Sequence, residues 1–252
     1  MADKNNTKHQ FAIYYQQTAL LASSHKIEDL LSIDDHQLYH RIVNILRLSS
    51  GESYILFDQT YNMHVQLVST HKKNGLTSRI ISIHQNRKIE PHITFLLPLL
   101  KREPFEDALY SLTELGTSTI IPIITKKTHR SWMQSRDQSR LERIIHAASE
   151  QSKNFSYPSL ETAQPLEHII PQLSAPNRVF FDPHGQPLLP VIQEIKKKPC
   201  PIVLMVGPEA DLLAEEKRLL QEHDFLFCSL TQTILRAQQA AAISLGIFRS
   251  LI

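Results

Sequence analysis

Ile202 to Val206 is an unbroken apolar run, and Gly207-Pro208-Glu209 ends it. A continuous run, rather than an alternating one, suits a parallel strand covered on both faces. Parallel strands need crossover connections, so this run commits the chain around it to an α/β arrangement. Gly207 lets the backbone turn sharply or come close to a ligand, and Pro208 is preset for a first helical position. Asp211 is a candidate N-cap for a helix running through Glu215, Lys217 and Arg218 to His223. A strand that ends in a glycine turn before a helix is where an open α/β sheet binds ligands. An ordinary strand-to-helix connection has the same look, so this turn alone does not fix a function.

A second turn follows closely. Phe225 to Cys228 reads as the next strand, and Ser229-Leu230-Thr231-Gln232-Thr233 as a polar turn. Ile234-Leu235-Arg236 then opens a helix rich in Ala and Leu that lasts to the C-terminus. Upstream, the rhythm is also strand then helix: His92–Leu97, Pro104–Leu115 stopped by Gly116, Ser118–Ile124, Arg136–Lys153, Arg178–Phe181 and Leu188–Lys197. Before Glu90-Pro91 the texture differs. The runs SYILFD, MHVQLVST and SRIISIHQ are short and β-rich, with turns about every 8 to 12 residues, which suggests a small barrel. A helix-like segment with Leu38, Ile42, Ile45 and Leu46 at helical spacing leads into them. These readings give two domains, residues 1–90 and 91–252.

Composition excludes several classes. A net charge of +2 leaves any nucleic-acid site to a local basic patch. Cys200 and Cys228 form no CxxC, so neither a disulfide framework nor a zinc knuckle organises the chain, and no metal is expected. The polar start MADKNNTKHQ carries no secretory signal, and no apolar run reaches membrane-spanning length, so a reduced cytoplasm is expected. With only six Gly and no GxGxxG or P-loop run, an unrelated nucleotide-binding α/β enzyme is disfavoured.

The combination of GPE, a helix, a strand and then L-x-x-x-ILR-A-x-x-A resembles the C-terminal signature of the SPOUT methyltransferases. Within that superfamily it is most similar to the ribosomal small-subunit RNA methyltransferase E family. The similarity covers nearly the whole chain. His36–Phe57 resembles the family's opening signature, LLPLLKREPFEDALYSLTELG its strand, lysine (Lys101) and helix, and EQSKNFSYP its E-Q-S-x-R-x-x-x-P run.

The resemblance implies S-adenosylmethionine-dependent methylation of N3 of a uridine in small-subunit rRNA by a homodimer. It implies a PUA-like N-terminal barrel that helps hold RNA, and a C-terminal domain knotted as a trefoil around the cofactor. Backbone groups of Met205, Val206, Gly207, Pro208, Glu209, Leu230, Thr231, Ile234 and Leu235 would hold the cofactor. Uridine N3 must lose its proton, and the charge this places on O2 and O4 calls for a fixed cation or donor. Arg236, which does not deprotonate, is the candidate catalytic residue. Arg41, Arg47, Lys101, Arg140, Arg143 and Lys153 are the candidate RNA contacts, with Lys72, Lys73, Arg79, Arg87, Lys88 and Arg136 as further basic residues. The last helix, apolar on most sides, suits a dimer interface or a buried core helix.

Departures from the family pattern gather at the proposed cofactor turns. Its Gly-Gly after GPE is Ala210-Asp211, its L-G-x-R turn is Leu230-Thr231-Gln232-Thr233, and its capping Ser is Leu213, with Glu216 retained. Gln238-Gln239 and Asn154 replace a Glu-Thr pair and an arginine. A β-branched Thr231 in an unusual backbone angle would narrow the pocket. These changes motivate a second class of function, a non-catalytic rRNA-binding relative with a degenerate cofactor site.

Overall fold

The computed structural model describes residues 10–71, 75–128, 135–197 and 200–252. Lys72 and Lys73 lie outside the described residues, as does the side chain of Arg136. The chain forms two compact units, residues up to Arg87 and Lys88–Ile252.

The first unit contains β1 (Phe11–Tyr14), α1 (Thr18–Ser24), β2 (Leu30–Asp34), α2 (His36–Tyr39), β3 (Ser53–Phe57), β4 (Tyr61–His71) and β5 (Gly75–Gln85). They form one sheet in the order β1-β3-β4-β5-β2, with β1 parallel to β3 and the other pairs antiparallel. Met63, Val65 and Leu67 alternate inward along β4, as period-two patterning requires. The three β-rich runs of the sequence are β3, β4 and β5. β1, α1 and β2 were not anticipated.

One helix face departs from its expected register. Asp35 caps α2 by accepting the Leu38 N–H at 2.9 Å, but His40–Ile45 continues as a π-helical turn. The Leu46 N–H bonds to the Arg41 carbonyl, one residue further back than in an α-helix. That extra residue rotates the face, so Leu38 and Ile42 are buried whereas Ile45 is 61% exposed.

The second unit is a parallel sheet between helices. Its elements are β6 (Ile93–Pro98), α3 (Arg102–Glu114), β7 (Thr119–Ile124), α4 (Ser135–Ser152), β8 (Ser159–Leu160), β9 (Gln164–Pro165) and α5 (Leu166–Ile169). There follow β10 (Asn177–Pro187), α6 (Leu188–Lys197), β11 (Ile202–Val206), α7 (Ala214–Glu222), β12 (Leu226–Ser229) and α8 (Ala237–Leu251). The sheet order is β12-β10-β11-β6-β7-β8, with β9 also on β7, and every pairing is parallel. This is the mixed α/β architecture read from the apolar run at Ile202–Val206, now buried throughout.

Alternation along the strands divides the core in two. Phe95, Phe181, Leu204 and Val206 pack with α3, α4, α6 and α8 on one face. Leu96, Phe180, Val203 and Met205 pack with α5 and α7 on the other. Arg249, near the end of α8, donates to the carbonyls of Gly116 at 2.7 and 3.1 Å and of Pro91 at 2.8 Å. Burial pushes its pKa down to about 10. These bonds fix α8 along the sheet, and with it the loop that precedes the helix.

Candidate active site

Three parallel strands bring three turns to one end of the sheet. β11 runs to β6 on one side and β10 on the other, while β12 lies beyond β10. The chain therefore reverses its direction of travel across the sheet after β11, and a crevice opens at the carboxyl ends of the strands flanking such a reversal. Here a cavity of 530 Å³ lies between the turn after β11, the loop within β10 and the segment joining β12 to α8. That volume is within the range of small-molecule sites, roughly 300–1,000 Å³.

Val206, Gly207, Pro208, Glu209, Leu230, Thr231, Ile234 and Leu235 all line the cavity, together with Arg236. Met205 does not. One position before Val206, it points to the opposite face of the sheet, where it is fully buried against α5 and α7.

Gly207 has an ordinary negative-side backbone, and a Cβ there would meet nothing nearer than Phe180 at 3.7 Å. The protein's own packing thus does not require glycine. What the missing side chain provides is a bare stretch of backbone on the cavity wall, where a flat ligand can approach closely.

The turn after β11 differs from its sequence reading. Neither Pro208 nor Asp211 begins a helix; α7 starts at Ala214, after Leu213. Leu213 offers no side-chain acceptor, but Glu216 accepts its N–H at 2.8 Å and that of Lys126 at 2.8 Å. Asp211 instead adopts φ +56, a left-handed conformation at the second position of the family's Gly-Gly pair. Its carboxylate accepts the Leu212 N–H at 2.8 Å, the local bonding that lets Asp occupy this region. Thr231 carries no such backbone; its hydroxyl donates to the Thr233 carbonyl at 2.6 Å and closes the second turn.

Arg236 occupies the N-cap position of α8 and is exposed at the cavity edge. Its side chain has no hydrogen-bond or ion-pair partner among the described residues, so the guanidinium is presented to the cavity without a fixed protein ligand. Ile234 beside it is 85% exposed.

The remaining wall was not foreseen. Phe181 and Gln186 both pair with Cys228, so Asp182-Pro183-His184-Gly185 loops out of β10 while β12 continues past it. Asp182, Pro183 and His184 line the cavity, as does Lys217 from α7. Lys217 Nζ lies 2.7 Å from an Asp182 oxygen and 2.9 Å from an Asp211 oxygen, and the His184 N–H donates to Asp182 at 2.8 Å. Burial alone would raise the Asp182 pKa, but Lys217 and the His184 N–H outweigh it and hold the carboxyl below its usual range. Burial alone would lower Lys217, and the two aspartates outweigh that and raise it. D-P-H-G directly after a buried strand was a sequence signal of the same kind as G-P-E. Lys217 carried none, since a lysine on a charged helix reads as a solvated face.

The candidate RNA residues divide between the units. Arg41 and exposed Arg47 lie at the π-helical turn and just after it. Lys101 precedes α3 and is exposed, and exposed Lys153 follows α4 with φ +57. Arg140 is engaged: its guanidinium binds both oxygens of Glu106 at 2.7 Å, joining α4 to α3. Arg143 donates to the Ser139 carbonyl one turn back. Asn154, at the position of the family's arginine, is buried and donates to the Thr113 carbonyl at 2.9 Å, a structural bond between the ends of α3 and α4.

Residues 87–249 match the RNA methyltransferase domain family, about two-thirds of the chain. The chain belongs to that family. Among similar proteins, the ribosomal RNA small subunit methyltransferase E of Rickettsia conorii is 26% identical over 238 residues, covering 92% of each chain. That of a Synechocystis species is 24% identical over 237 residues, covering 92% of this chain and 77% of its own. The fold matches the ribosomal RNA small subunit methyltransferase E of Neisseria gonorrhoeae, solved bound to S-adenosyl methionine, with a TM-score of 0.81 at 19% identity over 96% of this chain and 98% of the other. A putative methyltransferase of Legionella pneumophila, solved with the same cofactor, gives a TM-score of 0.80 at 22% identity with the same coverage.

Proposed function

We propose that this RNA methyltransferase transfers a methyl group from S-adenosylmethionine to N3 of a uridine in small-subunit ribosomal RNA. The observation that carries the reading is the cavity at the ends of β10, β11 and β12, with bare backbone at Gly207 and a cation at Arg236. Bound there, S-adenosylmethionine would supply an activated methyl carbon. Val206, Gly207, Leu230 and Leu235 offer backbone and apolar surface for its adenosine portion, Glu209 offers a carboxylate on the same turn as Gly207, and Asp182 a polar group on the other wall. The residues present fit such a group.

The chain's own part in the reaction is alignment and charge. Holding the uridine N3 in line with the methyl carbon removes most of the entropic barrier to a two-molecule encounter. Arg236 stands at the cavity edge, where a guanidinium donates to a carbonyl oxygen gaining charge as N3 deprotonates. A merely binding role for the family fold is not favoured by any feature of the cavity: the departures at Asp211 and Thr231 leave it open.

The finer architecture follows from the same reading. The segment after β11 forms the trefoil knot of the SPOUT fold, a reading that rests on the family to which residues 87–249 belong. The first unit, a PUA-like domain with residues 1–90 as its span, holds RNA through Arg41 and Arg47, while Lys101 and Lys153 serve residues 91–252. A homodimer forms through α8, supported by Ile243, 39% exposed and opposite the buried face of Ala241, Leu245 and Phe248. Its place of work is the cytoplasm, where ribosomal subunits are built; among the described residues no helix is long and apolar enough to cross a membrane.

Calorimetric titration of S-adenosylmethionine into the protein and into Arg236→Ala tests the reading. Micromolar binding, roughly −8 kcal/mol, is expected for both, because Arg236 serves the nucleobase. Absence of binding to the unaltered protein would leave only an RNA-binding role.

A further inference from the structure

We propose that Lys217 is a positioning residue that sets the separation of the cofactor cavity's two walls, by pairing with Asp182 on one and Asp211 on the other. The inference rests on the methyltransferase reading and assigns the same cavity a further determinant of cofactor affinity.

Three separate pieces of chain meet at this ammonium. Lys217 stands in the first turns of α7, Asp182 begins the loop out of β10, and Asp211 lies in the turn after β11. The contacts are short, 2.7 and 2.9 Å; the side chains of Asp182 and Lys217 are 6% and 26% exposed, and that of Asp211 is 61% exposed. A long lysine paired on open surface contributes little and wanders. Here one partner is sunk against the strand end, and its second oxygen is held by the His184 N–H at 2.8 Å. The Asp182–Lys217 pair is therefore held in place, and Asp211 reaches the same ammonium from the more exposed side.

Asp211 gives the joint its second arm. A β-carbon at φ +56 is unfavourable, and glycine relieves it. An aspartate there supplies a carboxylate that glycine cannot, and that carboxylate reaches Lys217. On the far side of the same turn, Lys127 Nζ donates to the Ala210 carbonyl at 2.7 Å. The turn is thus pinned from behind by Lys127 and drawn toward Asp182 by Lys217. Gly207 and Glu209, which line the cavity, belong to that same turn. Its position decides how closely the bare backbone of Gly207 meets a ligand.

The test is calorimetric titration of S-adenosylmethionine into the full chain and three variants, with each variant's thermal midpoint measured beside it. Lys217→Met keeps the side chain's length and removes its charge; it should weaken binding about tenfold, because the walls must then be ordered at the expense of binding. Lys217→Arg restores a cation of similar reach and should recover most of that loss. Asp211→Gly should weaken binding about threefold while leaving the thermal midpoint unchanged or raised, because the exposed ion pair and the local Leu212 N–H bond it removes are offset by relief of an unfavourable backbone angle. Affinity and stability moving in opposite directions is a result that a purely structural role cannot give. If the unaltered protein binds and Lys217→Met binds within twofold of it, the positioning role is overturned and the methyltransferase reading stands. If Asp211→Gly loses stability in proportion to affinity, or Lys217→Arg is no better than Met, the positioning role is likewise overturned. If the unaltered protein binds no S-adenosylmethionine, both fall together.

Discussion

Gly185 is predicted to be among the least replaceable residues of the second unit. A Cβ built there would lie 2.5 Å from the Cys228 nitrogen, 2.6 Å from the Cys228 carbonyl carbon and 2.6 Å from that of Phe227. Ordinary contact begins at 3.4 Å, so β10 and β12 must part by about 0.9 Å. The obstructing atoms are backbone, and no side chain can swing away. Overpacking of this kind costs roughly 1–3 kcal/mol. Parting the strands also strains the Gln186–Cys228 and Pro187–Ser229 pairings, at about 1 kcal/mol for a lost hydrogen bond. Gly185→Ala should therefore destabilise the second unit by about 3 kcal/mol, a fall of roughly 6–12 °C in the midpoint for a chain this long. It should also weaken S-adenosylmethionine binding, because Asp182, Pro183 and His184, just before it, line the cavity. Gly51→Ala is the comparison: it has φ +89 but nothing within 4 Å of a Cβ, so it meets backbone strain alone, about 1–2 kcal/mol. Scanning calorimetry measures both. A fall in the second unit's midpoint for Gly185→Ala no larger than the fall in the first unit's midpoint for Gly51→Ala would refute the reasoning, because the crowding would then have been relieved without cost.

Other expectations follow from buried groups. His92 and His146 are both held below the ordinary histidine pKa, chiefly by burial. The unfolded chain takes up their protons first, so the stability present above pH 6.5 should fall as pH drops below it. Urea midpoints at pH 7.5 and about 5.5 check this, and replacing both residues by Gln should flatten the slope. Burial pushes the Cys228 thiol up to about 11, leaving about one thiolate in a thousand at pH 8. Iodoacetamide should leave Cys228 unmodified in the folded protein, and peptide mass spectrometry after brief labelling would reveal any reaction.

Much of this site was legible because its chemistry lies in short stretches of chain. Val206–Glu209 and Leu230–Arg236 are turns after buried strands, and the strand rule alone brings them together. Met205 was misplaced by a single residue, since a continuous apolar run does not reveal which side chains face the cavity. Asp182 and Lys217 were missed for a different reason. Their value comes from meeting each other and Asp211 across separate elements, and no local pattern encodes that meeting. The helix at His36–Ile45 shows a third limit: its periodicity was read as α-helical, and a π-turn moved Ile45 outward. β1 and β2 were overlooked because an edge strand as short as Phe11–Tyr14 carries too few residues for a period to show.

The central claim is most directly tested by incubating purified small ribosomal subunits that lack the modification with the protein and S-adenosylmethionine, then digesting the RNA to nucleosides for mass spectrometry. The account predicts 3-methyluridine, formed at a single site, with the product lost or greatly reduced for Arg236→Ala although that variant still binds the cofactor. No methylated uridine, a methyl group on another atom, or undiminished product from Arg236→Ala would contradict it.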